Sequence, residues 1–267
     1  MSGLTLTAVY RYPVKSLAGQ AHDELAVGAR GLLFDRHWML VDEQLRFLTQ
    51  RQQSRMALIT ARVDDRGGLT LQAPGASDLV VGAGADNPEH AAVRVWDDMV
   101  QASFAGAAAD RWLSAFLGTP CHLVSMPGEV RRAVDPGFAL PQDQVGFADG
   151  FPFLLISQAS LDDLNRRLEV PLAMQRFRPN LVVDGCAPYA EDSWRRIRIG
   201  ELTFRVVKPC SRCIIPTIDP ETAERGAEPL RTLMSYRRRD NKIYFGQNLI
   251  HDGPGRLAPG MSVEVLA

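Results

Sequence analysis

Short alternating runs set the character of this chain. Leu4-Thr5-Leu6-Thr7-Ala8-Val9-Tyr10 alternates in part. Trp38-Met39-Leu40-Val41 is a compact apolar run stopped by Asp42-Glu43. Ala57 to Val63 runs into Asp64-Asp65-Arg66-Gly67-Gly68 before Leu69-Thr70-Leu71 resumes. A side-chain period of two, punctuated by Gly and Asp clusters, predicts strands joined by turns. The clearest pair is Ile197-Arg198-Ile199 and Leu202-Thr203-Phe204-Arg205-Val206, with Gly200-Glu201 between them. Ile197 and Ile199 share one face, as do Leu202, Phe204 and Val206, and Gly200 supplies the positive φ that a two-residue hairpin turn needs. Leu181-Val182-Val183 and Ser262 to Leu266 read as further strands.

Helical periodicity is rarer. Ala107 to Leu117 carries Trp112, Leu113, Phe116 and Leu117 on one face. Ser160-Leu161-Asp162-Asp163 reads as a capping box ahead of Leu164 and Leu168. Glu228-Pro229-Leu230 predicts a third helix, with Leu230, Leu233 and Met234 inward and Arg237 to Arg239 where cations suit the helix dipole. The expected class is mostly β with a few helices (α+β), of barrel or sandwich type. A soft boundary at Gly118-Thr119-Pro120 divides the chain into residues 1–119 and 120–267. Residues 127–150, rich in Pro, Gly and Asp, read as a long loop of the kind that is often functional.

Composition narrows the partners. The 267 residues suffice for a sizeable core, and 46% hydrophobic with 23% charged residues is ordinary for a globular protein. A net charge of -1 gives no global field for a nucleic-acid polymer or an anionic membrane. No apolar run reaches the ~20 residues of a membrane-spanning helix. The first ten residues lack the basic start and apolar core of a signal peptide. The cytoplasm is the expected compartment, with reduced thiols and no membrane partner.

The chemistry concentrates in Lys208-Pro209-Cys210-Ser211-Arg212-Cys213-Ile214-Ile215-Pro216-Thr217-Ile218-Asp219-Pro220, which holds two of the four cysteines. A thiolate beside an Arg is a good soft-metal ligand. Zinc needs two further ligands, but Cys121 and Cys186 have no matching spacing and the five His form no His-x₃₋₅-His pair. The β-branched Ile214, Ile215 and Ile218, with Pro216 and Pro220, oppose the helix a thioredoxin-like site requires. Two readings remain: one Cys as a soft-metal ligand at a strand-to-loop junction, or an incidental structural role. Pro216, lacking an N–H, suggests an edge or bulge there.

Three basic corners accompany it: Tyr12-Pro13-Val14-Lys15-Ser16, Gly31-Leu32-Leu33-Phe34-Asp35-Arg36 and Phe177-Arg178-Pro179-Asn180. Each puts a cation at a strand edge, where a β scaffold displays ligand-binding groups. Together they could grip an anion such as a phosphate. On spacing alone, three solvated surface cations are the plainer reading. Asp35 and Asp219 fit either as orienters of these cations or as turn residues.

These segments, with Phe245-Gly246-Gln247-Asn248, lie in order along nearly the whole chain. Together they resemble the MOSC family, in its form with an N-terminal MOSC β-barrel domain. The nearest likeness is to bacterial proteins that detoxify N-hydroxylated bases and to mitochondrial amidoxime-reducing components. The resemblance implies an N-terminal β-rich domain over 1–119 and a β-barrel MOSC domain over 120–267. It implies a molybdenum cofactor (molybdopterin), a pterin dithiolene carrying a phosphate. By the same likeness Cys213 is the metal ligand and catalytic thiolate, and Ser211 and Arg212 line the phosphate site. Lys15, Ser16, Arg36, Arg178 and Asn180 match residues that hold the cofactor. Cys210 stands beside the metal without an assigned role.

The implied reaction is two-electron reduction of a small N-hydroxylated substrate, N–OH to N–H, with release of water. Bacterial relatives of this kind often carry a C-terminal ferredoxin domain. None follows the last strand here, so a separate donor of ferredoxin or flavin reductase type is expected. The membrane anchor of the mitochondrial relatives is likewise not expected. A different class also fits: a cofactor carrier or sulfur-delivery protein holding a persulfide on Cys210 or Cys213.

Overall fold

A computed structural model describes residues 3–83 and 89–267. The chain is built mainly of strands, with three α-helices among the described residues. Among those residues, seven strands form one ring: β1 (Thr5–Arg11), β2 (Phe153–Ser157), β3 (Leu181–Asp184), β4 (Arg196–Ile199), β5 (Leu202–Ser211), β6 (Lys242–His251) and β7 (Val263–Val265). The order around it is β7-β4-β5-β6-β2-β3-β1. Most neighbours are antiparallel, while β2 and β3 run parallel. The ring closes because the start of β1 meets the approach to β7, while the end of β1 pairs with Gln20–His22. Leu6 N donates to Met261 O at 2.9 Å, Gly260 N to Leu6 O at 2.7 Å, and Val263 N to Leu4 O at 2.8 Å. Closure removes the unpaired edges that an open sheet would present.

The alternation read from the sequence fills this barrel. Leu6, Val9, Phe153, Leu155, Leu181, Ile197, Ile199, Phe204, Leu249 and Val263 form one buried cluster. Arg196 and Arg198 take the alternate, exposed positions of β4. Each such large side chain contributes about 1.5–3 kcal/mol by leaving water.

A second sheet orders Trp38–Val41, His122–Ser125, Asp98–Phe104 and His90–Val95, and a third pairs Thr60–Val63, Leu69–Gln72 and Leu79–Val81. Helix α1 (Ala107–Leu117) buries Ala109, Leu113, Phe116 and Leu117, and stops at Gly118 in the left-handed region. Sheets are shared across the expected boundary at residue 119. Strand β1 is a stave of a ring otherwise drawn from residues 153–265, and Leu25–Gly28 pairs with Gly255–Leu257.

Several local expectations are corrected. Ala57 to Val63 is a strand only from Thr60, because Ser54–Leu58 winds into a 3₁₀ turn. Helix α2 (Gln158–Asn165) starts one turn early: Ser157 is its N-cap, accepting from Ser160 N at 3.1 Å. The Ser160 hydroxyl instead donates to the buried Glu191 at 2.7 Å. In helix α3 (Leu230–Arg237) Leu233 is buried but Met234 is 49% exposed, so the packed stripe is narrower than expected. Arg237 ends α3 and pairs with Asp192 at 2.6 Å, while Arg238 and Arg239 leave the helix to pair with Lys242 and Ile243. Among the described residues no helix is long and apolar enough to cross a membrane.

Candidate active site

The three basic corners and the cysteine segment converge on one cleft. Lys15, Ser16, Arg36, Arg178, Asn180, Cys210, Ser211, Arg212 and Cys213 all line it. It holds about 790 Å³ of empty space, its opening to solvent included. Sequence separations up to about 200 residues vanish because β1, β3 and β5 deliver their ends to the same mouth of the barrel.

Each corner is fixed by its backbone. Lys15 N donates to Trp38 O at 2.8 Å, and Arg36 N to Tyr12 O at 2.7 Å. Ser16, Arg36 and Arg178 all lie in the left-handed region, with φ of 66, 45 and 58. Such a backbone is costly for non-glycine residues and is held here by the surrounding hydrogen bonds. The Arg36 and Arg178 guanidinia lie 4.3 and 4.4 Å from the Tyr12 ring. Asp35 orients this layer: it accepts from Tyr12 N at 2.8 Å and pairs with Arg36 Nη1 at 2.6 Å. Arg178 donates to Leu17 O at 2.6 Å, and burial beside Arg36 pulls its pKa down to about 10. Asn180 is fully engaged at the junction of β1, β2 and β3. Its Oδ1 accepts from Arg36 at 3.1 Å and its Nδ2 donates to Tyr10 O at 3.2 Å.

Two register slips in β5, at Val206/Lys208 and Pro209/Ser211, loosen its pairing before the cysteines. Arg212 N then bonds Ile243 O at 2.7 Å, and the chain turns. Pro216 is no edge residue: it sits buried in the first turn of a 3₁₀ segment, Ile215–Thr217, where no N–H is required. Cys210 gains a structural partner, since its Sγ accepts from Arg212 Nη1 at 3.2 Å. Arg212 Nη2 donates to Phe177 O at 2.7 Å, while its buried Nε has no partner. Asp219 lies away from these cations and pairs with Arg176 at 2.6 Å while bonding its own turn.

Arg51 and Asp149 also belong to the cleft, and sequence reasoning missed both. Arg51 Nη2 lies 3.4 Å from Cys213 Sγ and 3.3 Å from Asp149 Oδ2. Burial lowers the Arg51 pKa, but the Cys213 sulfur and Asp149 outweigh it and the net shift is upward. Asp149 pairs with Lys15, which is 4% exposed and also donates to Phe147 O at 2.8 Å. Desolvation pulls the Lys15 pKa down against that pairing. Desolvation also acts to raise the Asp149 carboxyl, but Lys15 and Arg51 overcome it and hold the group well below the usual carboxylate range. Asp149 comes from the 127–150 loop, which Arg132 ties down through bonds to Gly146 O at 2.8 Å and Ala148 O at 2.6 Å.

Among the described residues the cleft is lined by Lys15, Arg36, Arg51, Arg178 and Arg212 against one carboxylate, Asp149. That excess of cations beside an accessible thiol suits an anionic ligand. Residues 3–120 match the MOSC N-terminal beta barrel domain and residues 142–264 the MOSC domain. The chain belongs to the MOSC family, in the form that joins these two domains. Human mitochondrial amidoxime-reducing component 1 is 37% identical over 281 residues, spanning 98% of this chain and 83% of that protein. Rat mitochondrial amidoxime reducing component 2 is 34% identical, over 90% of this chain and 74% of its own. Molybdenum cofactor sulfurase of rice is 31% identical over 92% of this chain, which corresponds to only 32% of that protein.

Proposed function

We propose that this protein is a molybdenum-cofactor-dependent reductase of small N-hydroxylated compounds. The observation that supports it most is the meeting of the Cys213 thiol with five cations in one cleft. The residues present suit the cofactor. The five cations that line the cleft outnumber its one carboxylate, so an anionic ligand would balance their charge. Cys213 offers a thiolate at the cleft wall, with Arg51 donating to the same sulfur.

Ser211 and Arg212 would line the pterin phosphate site, and Lys15, Ser16, Arg36 and Arg178 would hold the cofactor, the cations neutralising its charge. Asn180 acts by fixing Arg36, and Cys210 by fixing Arg212. When bound, the cofactor supplies the two-electron chemistry that takes the hydroxyl oxygen, so that N–OH plus two protons and two electrons gives N–H and water. The protein contributes the ligating thiolate, orientation and charge neutralisation. Electrons come from a separate ferredoxin or flavin-reductase-type protein, and removing the hydroxyl from N-hydroxylated bases gives the reaction a detoxifying role.

The test is protein from a host that makes the cofactor, assayed for molybdenum and for amidoxime reduction with a chemical donor. Molybdenum and turnover together are expected. A second reading, sulfur delivery or cofactor carriage, draws on the similarity to the rice cofactor sulfurase. It requires a persulfide on Cys210 or Cys213, seen by intact-mass measurement, without turnover. The expected compartment is the cytoplasm, whereas the amidoxime-reducing relatives carry mitochondrial names; fractionating the source cells separates the two.

A further inference from the structure

Trp96 occupies an unfavourable place that the fold does not require. It is the first residue of a two-residue hairpin loop between Val95 and Asp98, and its φ is 55. That position favours Gly or Asn, and a bulky aromatic there is strained. Yet the indole is aimed at the cleft rim. Its Nε1 donates to Asp149 Oδ1 at 3.3 Å, and the Arg51 guanidinium lies 4.9 Å from its ring. Phe47 packs beside it at 5.0 Å. Through Arg51 the ring stands one guanidinium away from the Cys213 sulfur. Even with Arg51 and Phe47 against it, Trp96 remains 43% exposed, a large aromatic side chain at the rim of an otherwise cationic cleft.

We propose that Trp96 is a substrate platform that selects planar, aromatic N-hydroxylated bases over aliphatic ones. The inference rests on the reductase reading above. The exposed part of the ring would accept the flat face of an aryl amidoxime or hydroxylated nucleobase at the rim of the cleft, beside Arg51. Stacking of this kind contributes about 1–3 kcal/mol per ring, which is about fivefold or more in binding. An aliphatic amidoxime has no such face and gains nothing from the indole.

The experiment uses the loaded enzyme with a chemical donor and two substrates, an aryl and an alkyl amidoxime. Trp96→Gly suits the backbone but loses the Asp149, Arg51 and Phe47 contacts, so a cooperative melt of each variant beside the parent first establishes that it folds. Its KM for the aryl substrate is expected to rise at least about fivefold, with the alkyl KM and both kcat values within about twofold. Trp96→Phe, which keeps a ring, should restore most of the aryl preference. Equal changes for both substrates, or none, would overturn the platform. So would a defect confined to turnover with a protein donor, which would mark Trp96 as a docking contact. If the parent enzyme reduces neither substrate, the reductase reading itself fails and the platform falls with it.

Discussion

Lys15 is a buried cation whose carboxylate partner, Asp149, comes from a loop more than 130 residues away. Asp149→Asn leaves that charge uncompensated. A loss of about 1–2 kcal/mol in urea unfolding is expected, below the fully buried range because Asp149 is itself largely exposed. Adding Lys15→Met should recover part of it. His37 contributes to the pH dependence alongside His22 and His251, whose pKa values burial also lowers: burial, with Arg30 adding, drops the His37 pKa to about 4. The unfolded chain then binds the extra proton between about pH 6.5 and 4. His37 therefore contributes full stability above pH 6.5 and loses it as the pH falls through that window. Urea titrations of the parent and His37→Phe should diverge there and run parallel above it. The thiols stood out by local chemistry, whereas spacing alone read the cations of the three corners as solvated surface groups and only the family resemblance joined them into one site. Arg51 was not legible: it sits in a polar Thr49-Gln50-Arg51-Gln52 run, and only the fold brings it to Cys213.

Elements were legible where period decided them and less so where caps or packing did. The β4–β5 hairpin follows from alternation and Gly200, whose φ is 56. The start of α2 does not, because Ser160 is drawn to Glu191 and Ser157 takes the cap. In β6, Gly246 adopts φ 82, and a Cβ there would stand 2.6 Å from Ile156 Cγ1 and 2.8 Å from Leu155 O on β2. Gly246→Ala meets both a backbone penalty and a clash with main chain. A loss of about 2–4 kcal/mol in urea unfolding is expected, without a change in the midpoint slope.

At the scale of the molecule, the barrel depends on contacts between residues 4–6 and 260–263 that no local pattern announces. The strands were readable, but their order around the ring was not, since it is set by which edges meet. The same closure means that residues 120–267 lack a stave when expressed alone. That fragment should give poorly dispersed NMR spectra and no cooperative melt, whereas adding the 1–119 segment in trans should restore both. The cleft is equally a property of the whole, because its five cations and its thiol come from both ends of the chain. The most direct measurement is therefore made on the intact protein: molybdenum content and aryl amidoxime reduction of the parent beside Cys213→Ala. Stoichiometric molybdenum with turnover in the parent, and no turnover in the variant, is the predicted result. Full activity in Cys213→Ala, or turnover by a parent free of molybdenum, would contradict it.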